Sequence, residues 1–277
     1  MVRIEDLDIP RTVKGSADEI LSMLEAYGLQ WDEAVIFQSR RTSAYEQAFN
    51  RLKEIGAVYP CCCTRKEISD SALHGIEGAV YPGTCRNGIP AEREERAWRV
   101  RTDDREIGFD DALQSHIAQR LKSEIGDYVI KRADDLFAYQ LAVVVDDAFQ
   151  DITHIVRGCD LIASTPRQIY LQHLLSLSIP QYMHLPVAVN DLGEKLSKQT
   201  LAAPVTSDNA VVTLIEILTF LRQQPPVELR QGNIGEVLRW AIVNWQPDNL
   251  KNYRALPAMV SPAQPHGQPR RSSPHTA

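Results

Sequence analysis

Two lysines three residues apart could contact a phosphate group. Lys195 and Lys198 lie in the segment Lys195–Gln199, which follows a turn that contains Gly193. Lysine carries a compact charge on a long stem, so it can follow phosphate oxygens while a bond to phosphorus breaks. The segment is therefore a candidate for binding a nucleotide triphosphate. A solvated basic loop is the alternative interpretation, because short Lys/Ser patterns also occur by chance.

Four of the five cysteines form a second candidate site, at positions 61, 62, 63 and 85. In an extended segment, Cys61 and Cys63 would point to one side and Cys62 to the other. With Cys85, this gives three thiolates for a structural zinc ion, which prefers four ligands. Free cysteines in a small core are the alternative. The spacing favours His74 as the fourth ligand, and the other candidates are Tyr81, Glu67 and Cys62.

Polar side chains at the ends of two predicted strands form a third candidate site. Glu5 follows the strand Val2–Ile4 and could hold an ammonium group, whereas Arg157 ends the strand Ile152–Arg157 and could pair with a carboxylate. Tyr139 begins a mostly apolar helix, where a core tyrosine is the default interpretation. Because open α/β sheets bind ligands at the carboxyl ends of their strands, the three residues together fit a pocket for a zwitterionic amino acid.

The elements that must position these residues alternate in type. Strands are predicted at 2–4, 35–37, 128–132 and 152–157, and helices at 16–28, 43–55, from about 138, and at 165–175. Ser16 with Glu19, and Ser43 with Glu46, are potential capping boxes. This βαβα order favours a parallel sheet with covering helices. Two further amphipathic helices are predicted at 211–221 and 234–245.

Composition divides the chain into five parts. Residues 1–57 and 127–189 carry the βαβα pattern, and 58–126, with the cysteines and a Gly/Pro-rich turn, are interpreted as an inserted zinc-binding subdomain. Residues 190–260 contain the lysine segment and the two later helices. Residues 261–277, rich in Pro, Ser, His and Arg, are predicted to be a disordered tail.

The overall charge limits the possible partners. With 30 basic and 36 acidic residues the net charge is -6, so any RNA contact must use local basic patches. No apolar run is long enough to span a bilayer, and the first six residues lack the apolar core of a signal peptide. We therefore expect a cytoplasmic protein that acts away from membranes, as a monomer without an obligate protein partner.

Six segments, in this order, resemble the class I glutamyl-tRNA synthetase family: Arg3–Asp6, Cys61–Arg65, Tyr81–Arg86, Phe137–Gln140, Val156–Leu161 and Lys195–Gln199. The resemblance covers about residues 2–245. A full synthetase carries a large anticodon-binding region after the lysine segment, whereas this sequence has only a few helices there. In this it is similar to the short paralogues of the family, which attach glutamate to the queuosine base in the anticodon of tRNA(Asp).

The resemblance implies a fold, an activity and a set of site residues. The fold would be the Rossmann-like parallel sheet of class I synthetases with a zinc-binding insert and a C-terminal helical segment. The enzyme would be a ligase that uses ATP with Mg²⁺, L-glutamate and tRNA(Asp). The implied roles are glutamate binding by Glu5, Tyr139 and Arg157, and ATP binding and catalysis by Lys198 with Lys195. The implied fourth zinc ligand, with Cys61, Cys63 and Cys85, is Tyr81 instead of His74.

One part of the family pattern has no match in this sequence. Family members begin with a strand, a Pro-Ser-Pro-Ser/Thr-Gly segment and a His-x-Gly turn, whereas here Met1 falls in what would be the second strand. We therefore expect the chain as written to be poorly stable and inactive, with a misplaced start codon as the favoured explanation. The alternatives are a genuine truncation that leaves an inactive, zinc-stapled RNA-binding remnant, or a discrete glutamyl-tRNA synthetase acting on tRNA(Glu).

Overall fold

The computed structural model describes residues 1–8, 12–69, 74–75, 78–196 and 205–258. Its α-helices are α1 (Ser16–Ala26), α2 (Thr42–Glu54), α3 (Arg65–Ser69), α4 (Leu121–Glu124), α5 (Tyr139–Phe149), α6 (Thr165–Leu175), α7 (Ala210–Phe220) and α8 (Ile234–Asn244). Its strands are β1 (Arg3–Ile4), β2 (Ile36–Phe37), β3 (Val58–Cys61), β4 (His74–Gly75), β5 (Gly78–Ala79), β6 (Ala97–Val100), β7 (Glu106–Asp111), β8 (Ser115–Arg120), β9 (Val129–Lys131), β10 (His154–Gly158), β11 (Gln181–Leu185), β12 (Val187–Val189) and β13 (Ala255–Pro257). The predicted tail, 261–277, lies outside the described ranges.

The parallel sheet predicted from the βαβα order is confirmed only in part. β1 pairs with β2, β10 with β11, and β12 with β13, all in parallel. These pairs do not form one continuous sheet in the described part of the chain. Instead, β7 and β8 extend the pair β10–β11 into a four-stranded mixed sheet in the order β10-β11-β7-β8. β7 joins it because its alternating buried side chains cover the core. A three-stranded antiparallel sheet, β3-β6-β9, and the hairpin β4–β5 complete the pairing.

Strands of the predicted insert pair with strands that follow it. β6 pairs with β9, and β7 pairs with β11. The main buried cluster likewise combines residues from inside and outside 58–126, including Val58, Val100, Ile130, Leu141 and Leu171. The boundaries at residues 57, 126, 189 and 260 remain a prediction.

The predicted helices and strands are confirmed to within a few residues, but two predicted helix caps are wrong. Ser16 is the first residue of α1, and its hydroxyl donates backwards to the Val13 carbonyl at 2.8 Å. Ser43 already lies inside α2, whose N-terminal cap is Arg41 without a side-chain hydrogen bond. A capping box is found instead at α8, where Asn233 and Glu236 exchange side-chain to backbone hydrogen bonds of 3.1 and 2.9 Å.

The C-terminal helices pack against the first helix. The buried faces of α7 and α8 contact Tyr27, whose hydroxyl donates to the Thr206 carbonyl at 2.8 Å. Gly28 ends α1 with a φ of +70°, and a Cβ there would lie 3.0 Å from Ile234 and 3.1 Å from Leu238. Glycine therefore serves both the left-handed turn and the close approach of α8. In the described ranges, every helix is too short or too polar to cross a membrane.

Candidate active site and metal centre

The three predicted amino-acid-binding residues line one cavity of about 440 Å³. Glu5 follows β1, Tyr139 is the first residue of α5, and Arg157 lies near the end of β10. They meet because the strand ends and the start of α5 open on the same side. The structure thus brings Glu5, Tyr139 and Arg157 together, with an acid and an arginine in a single pocket.

Arg3 is a pocket residue to which the sequence analysis gave no role. Its Nη1 donates to Asp147 Oδ1 at 2.8 Å and to Gln150 Oε1 at 2.9 Å, and its Nη2 lies 3.4 Å from Glu5 Oε1. Burial raises the pKa of Asp147, although the Arg3 charge opposes this shift. Strand alternation could have indicated that Arg3 also lines the pocket, since residues 3 and 5 of an extended segment point to the same side. Arg3 connects Glu5 to α5.

Arg157 is held along one edge by buried partners. Its Nε donates to His184 Nε2 at 3.1 Å, and its Nη2 donates to Thr165 Oγ1 and Gln168 Oε1, both at 2.8 Å. His184 in turn lies 2.6 Å from Asp111 through its Nδ1. Sequence patterns do not indicate His184 or Asp111, because nothing local in the sequence shows that they meet the arginine.

The first lysine of the lysine segment lies beside the end of β10. Lys195 Nζ forms an ion pair of 2.6 Å with Asp160 Oδ2, and Lys195 bridges to Val189 of β12. Gly158 allows this approach, because a Cβ there would clash with the Asp160 carboxylate. Lys198, the other predicted ATP contact, lies outside the described residues. Lys195 is therefore the part of the segment that the structure positions near the pocket.

The Sγ atoms of Cys61, Cys63 and Cys85 lie within 4.8 Å of one another. The Tyr81 hydroxyl oxygen is 3.4 Å from Cys61 Sγ and 3.7 Å from Cys63 Sγ, and it accepts a hydrogen bond of 2.9 Å from the Cys85 amide. Tetrahedral zinc with three sulfur ligands needs sulfur atoms about 3.8 Å apart. The three thiols and this oxygen fit such an ion. The side chain of His74 lies outside the described residues.

Of the two further candidates for the fourth ligand, Cys62 is placed differently from expectation and Glu67 binds other residues. Cys62 was expected to point away, but its Sγ lies 3.5 Å from Cys85 Sγ. The alternation of a strand does not apply there, because β3 ends at Cys61 and residues 62–64 belong to no strand or helix. Glu67 is engaged elsewhere: Arg93 and Thr64 bind its carboxylate and hold its pKa near 2.

Burial and hydrogen bonds act in opposite ways on the thiol of Cys85. Arg99 Nε lies 3.3 Å from Cys61 Sγ, and its guanidinium stacks 3.8 Å above the ring of Tyr81. Burial raises the pKa of Cys63 to about 12. At Cys85 burial also acts to raise the pKa, but hydrogen bonds from Cys62 and Tyr81 outweigh it and the pKa falls to about 7. A cation in the cluster would favour the thiolate form of both.

A groove of about 1000 Å³ runs from the cysteine cluster to the residues after β1. Arg65, Arg96 and Arg132 line it, and Arg132 forms an ion pair of 2.6 Å with Asp8. Arg65 and Arg96 are exposed. This groove is thus a basic surface on a chain whose net charge is -6.

Residues 1–213 match the family model described as tRNA synthetases class I (E and Q), catalytic domain. The chain belongs to this class I synthetase family. A relative named glutamyl-Q tRNA(Asp) synthetase, from Dechloromonas aromatica, is 53% identical over 250 residues, which cover 90% of this chain and 83% of the relative. A relative of the same name from Thiobacillus denitrificans is 49% identical over 263 residues, covering 95% of this chain and 86% of the relative.

Solved structures confirm the class I synthetase fold. A glutamate-tRNA synthetase from Elizabethkingia anophelis superposes with a TM-score of 0.71 at 20% identity, and a glutamate tRNA ligase from Elizabethkingia meningosepticum with a TM-score of 0.70 at 20% identity. Each match covers 91% of this chain. The chain spans about 60% of the length of these two proteins. The family prediction made from six short segments is therefore confirmed.

Proposed function

We propose that this chain activates L-glutamate with ATP and transfers it to the queuosine base in the anticodon of tRNA(Asp). The observation that carries the proposal is the meeting of Glu5, Tyr139 and Arg157 in one cavity. The relatives at 53% and 49% identity carry the name of that activity. An acid and an arginine in one cavity suit the ammonium and a carboxylate of one amino acid.

The residues divide the reaction between them. Arg157 pairs with a carboxylate of glutamate, Glu5 holds the ammonium group, and the Tyr139 ring lines the pocket. The glutamate α-carboxylate attacks the α-phosphorus of ATP, and pyrophosphate leaves with the bond electrons. Lys195 and Lys198 contact the phosphates, with Mg²⁺ neutralising further charge. A hydroxyl of the queuosine ring then attacks the adenylate carbonyl, loses its proton and releases AMP.

The basic groove is the proposed contact with tRNA. Arg65 and Arg96 are exposed beside it, and arginine pairs well with phosphate oxygens. A zinc ion held by Cys61, Cys63, Cys85 and Tyr81 would be structural, fixing β3 and the groove wall. Because its substrate is tRNA, we place the enzyme in the cytoplasm, and we propose that it acts as a monomer.

Two assays test this function. Glutamate-dependent exchange of pyrophosphate into ATP, measured without tRNA, reports activation. Transfer of labelled glutamate is then compared on tRNA(Asp) with queuosine, tRNA(Asp) with guanosine at that position, and tRNA(Glu). The 277-residue chain and a form extended by any codons that precede Met1 in frame are both assayed. We expect exchange by at least one of the two forms, and transfer only to the queuosine-containing tRNA.

Other outcomes identify the competing functions. Transfer to tRNA(Glu) but not to tRNA(Asp) would make the protein a discrete glutamyl-tRNA synthetase. Binding of RNA without pyrophosphate exchange in either form would make it a non-catalytic remnant. R157K, which keeps the charge but loses the fork geometry, should lose exchange, whereas R51K on the exposed face of α2 should keep it.

A further inference from the structure

His184 connects the pocket arginine to a buried carboxylate. Its side chain and that of Asp111 are fully buried. His184 Nδ1 lies 2.6 Å from Asp111 Oδ2, while His184 Nε2 lies 3.1 Å from Arg157 Nε. Strand pairing sets this order, because Arg157 lies opposite His184 in β10 and β11, and Asp111 pairs with Tyr182 of β11. Three side chains from three strands thus form one line that ends in the pocket.

The hydrogen bonds determine which nitrogen of His184 carries the proton. An arginine Nε always bears hydrogen, so Nε2 of His184 must be the acceptor and Nδ1 the donor to Asp111. Burial lowers the pKa of His184 more than the bond to Asp111 raises it, which favours the neutral ring. Burial also acts to raise the pKa of Asp111, but hydrogen bonds from His184 and from the Leu113 and Gln114 amides outweigh it.

This arrangement leaves Arg157 one free direction. Its Nε and Nη2 bind His184, Thr165 and Gln168, and its Nη1 has no hydrogen-bond acceptor in the part of the chain that the structure describes. Arg157 lines the cavity that also contains Glu5. A carboxylate entering the cavity therefore meets a guanidinium that is already oriented and whose charge Asp111 balances through His184.

We propose that His184, backed by Asp111, is a positioning residue that fixes the Arg157 guanidinium for glutamate binding. This inference rests on the proposed function, which supplies the ligand. His184 would then act on glutamate only by orienting Arg157, without contacting the substrate itself. Losing the hydrogen bond between His184 and the charged Arg157 should reduce the affinity for glutamate by about 10- to 100-fold.

Two substitutions separate positioning from packing. H184Q places an acceptor near the position of Nε2, whereas H184N places an amide near Nδ1 and leaves Arg157 Nε without an acceptor. We expect H184N to raise the KM for glutamate about 10- to 100-fold and to leave the KM for ATP unchanged. H184Q should recover most of the glutamate affinity. Equal losses for glutamate and ATP in both variants, or no loss in H184N, would overturn the inference.

A spectroscopic measurement on the unmodified protein tests the same point without a substrate. The ¹⁵N shifts of His184, assigned by comparison with H184Q or by sequential assignment, should show protonated Nδ1 and unprotonated Nε2 at neutral pH. The opposite tautomer, or a charged ring, would refute the role of His184 as acceptor for Arg157. If this tautomer is found but glutamate does not bind, then the proposed function has failed while the positioning of Arg157 stands.

Discussion

Replacing Tyr81 by phenylalanine removes one oxygen from the cysteine cluster and keeps the ring. The lost oxygen lies 3.4 and 3.7 Å from two thiols, so it is in place to bind an ion that they share. Arg99 can still stack on the ring, since its guanidinium lies 3.8 Å above the ring centroid. The substitution therefore tests the oxygen as a ligand with little change in packing.

The expected loss follows from the number of ligands. Structural zinc binds small domains with about 10–16 kcal/mol, so each of four ligands accounts for about 2.5–4 kcal/mol. A water molecule replaces the phenol oxygen in part and recovers about half of this. Zinc affinity of Y81F should then fall about 10- to 30-fold. The Cys85 amide also loses its acceptor, which costs about 1–3 kcal/mol of folding stability.

Competition with a chromophoric chelator measures the affinity, and X-ray absorption counts sulfur and lighter ligands around the ion. H74A and C62S are the matched controls, since His74 and Cys62 are the other candidate ligands. We expect both to bind zinc like the unmodified protein, with three sulfurs and one oxygen. Unchanged zinc affinity in Y81F together with a loss of zinc affinity in H74A would refute the assignment of Tyr81. Four sulfur ligands in the unmodified protein and three in C62S would identify Cys62 as the fourth ligand.

Three further predictions concern stability, RNA contact and pH. D146A should lower the free energy of unfolding, measured in urea, by about 3–5 kcal/mol, because Asp146 is fully buried and accepts hydrogen bonds from Arg41, Tyr45 and Gln38. As a control, E54A removes an exposed ion pair with Arg51 and should lower the free energy of unfolding by less than about 1 kcal/mol. R65E with R96E should weaken tRNA binding and reduce the slope of log affinity against log salt by about 1.5, as measured by filter binding, whereas R51E should not. The pKa of His184 is lowered in the folded state, so the unfolded chain takes up the proton first, and stability falls as pH drops below about 6.5. In denaturant titrations this loss of stability should be smaller in H184Q. An identical loss would mean that His184 is not the group that titrates.

Short motifs allowed much of the site to be predicted. Cys61 and Cys63, and the pair Tyr81 and Cys85, are close in sequence. Glu5 follows a predicted strand and Arg157 ends one. Local patterns therefore indicate what each element contributes. They do not indicate alternation beyond the end of a strand, which is why the placement of Cys62 was wrong. They also overestimated serine caps, because a Ser three residues before Glu can start a helix from inside it.

The residues that sequence reasoning missed have partners far away in the chain. Arg3 and Asp147 are 144 positions apart, and Asp111 and His184 are 73 apart. Nothing in a single sequence gives the register of β10 on β11 or of β11 on β7, yet that register alone brings Asp111 to Arg157 through His184. The hairpin β7–β8 was likewise assigned to the insert because its pairing partner is about 70 residues further on.

The two positively charged parts of the site differ in how firmly the fold holds them. Arg157 is tied by three hydrogen bonds of 3.1 Å or less to buried partners, and turning it would leave those partners unsatisfied. Lys195 is about half exposed, and an ion pair such as the one it makes with Asp160 contributes only about 0–1 kcal/mol. A phosphate can therefore replace Asp160 at little cost, whereas a carboxylate cannot reorient Arg157. This contrast suits a reaction in which the amino acid must be held still while charge moves along the phosphates.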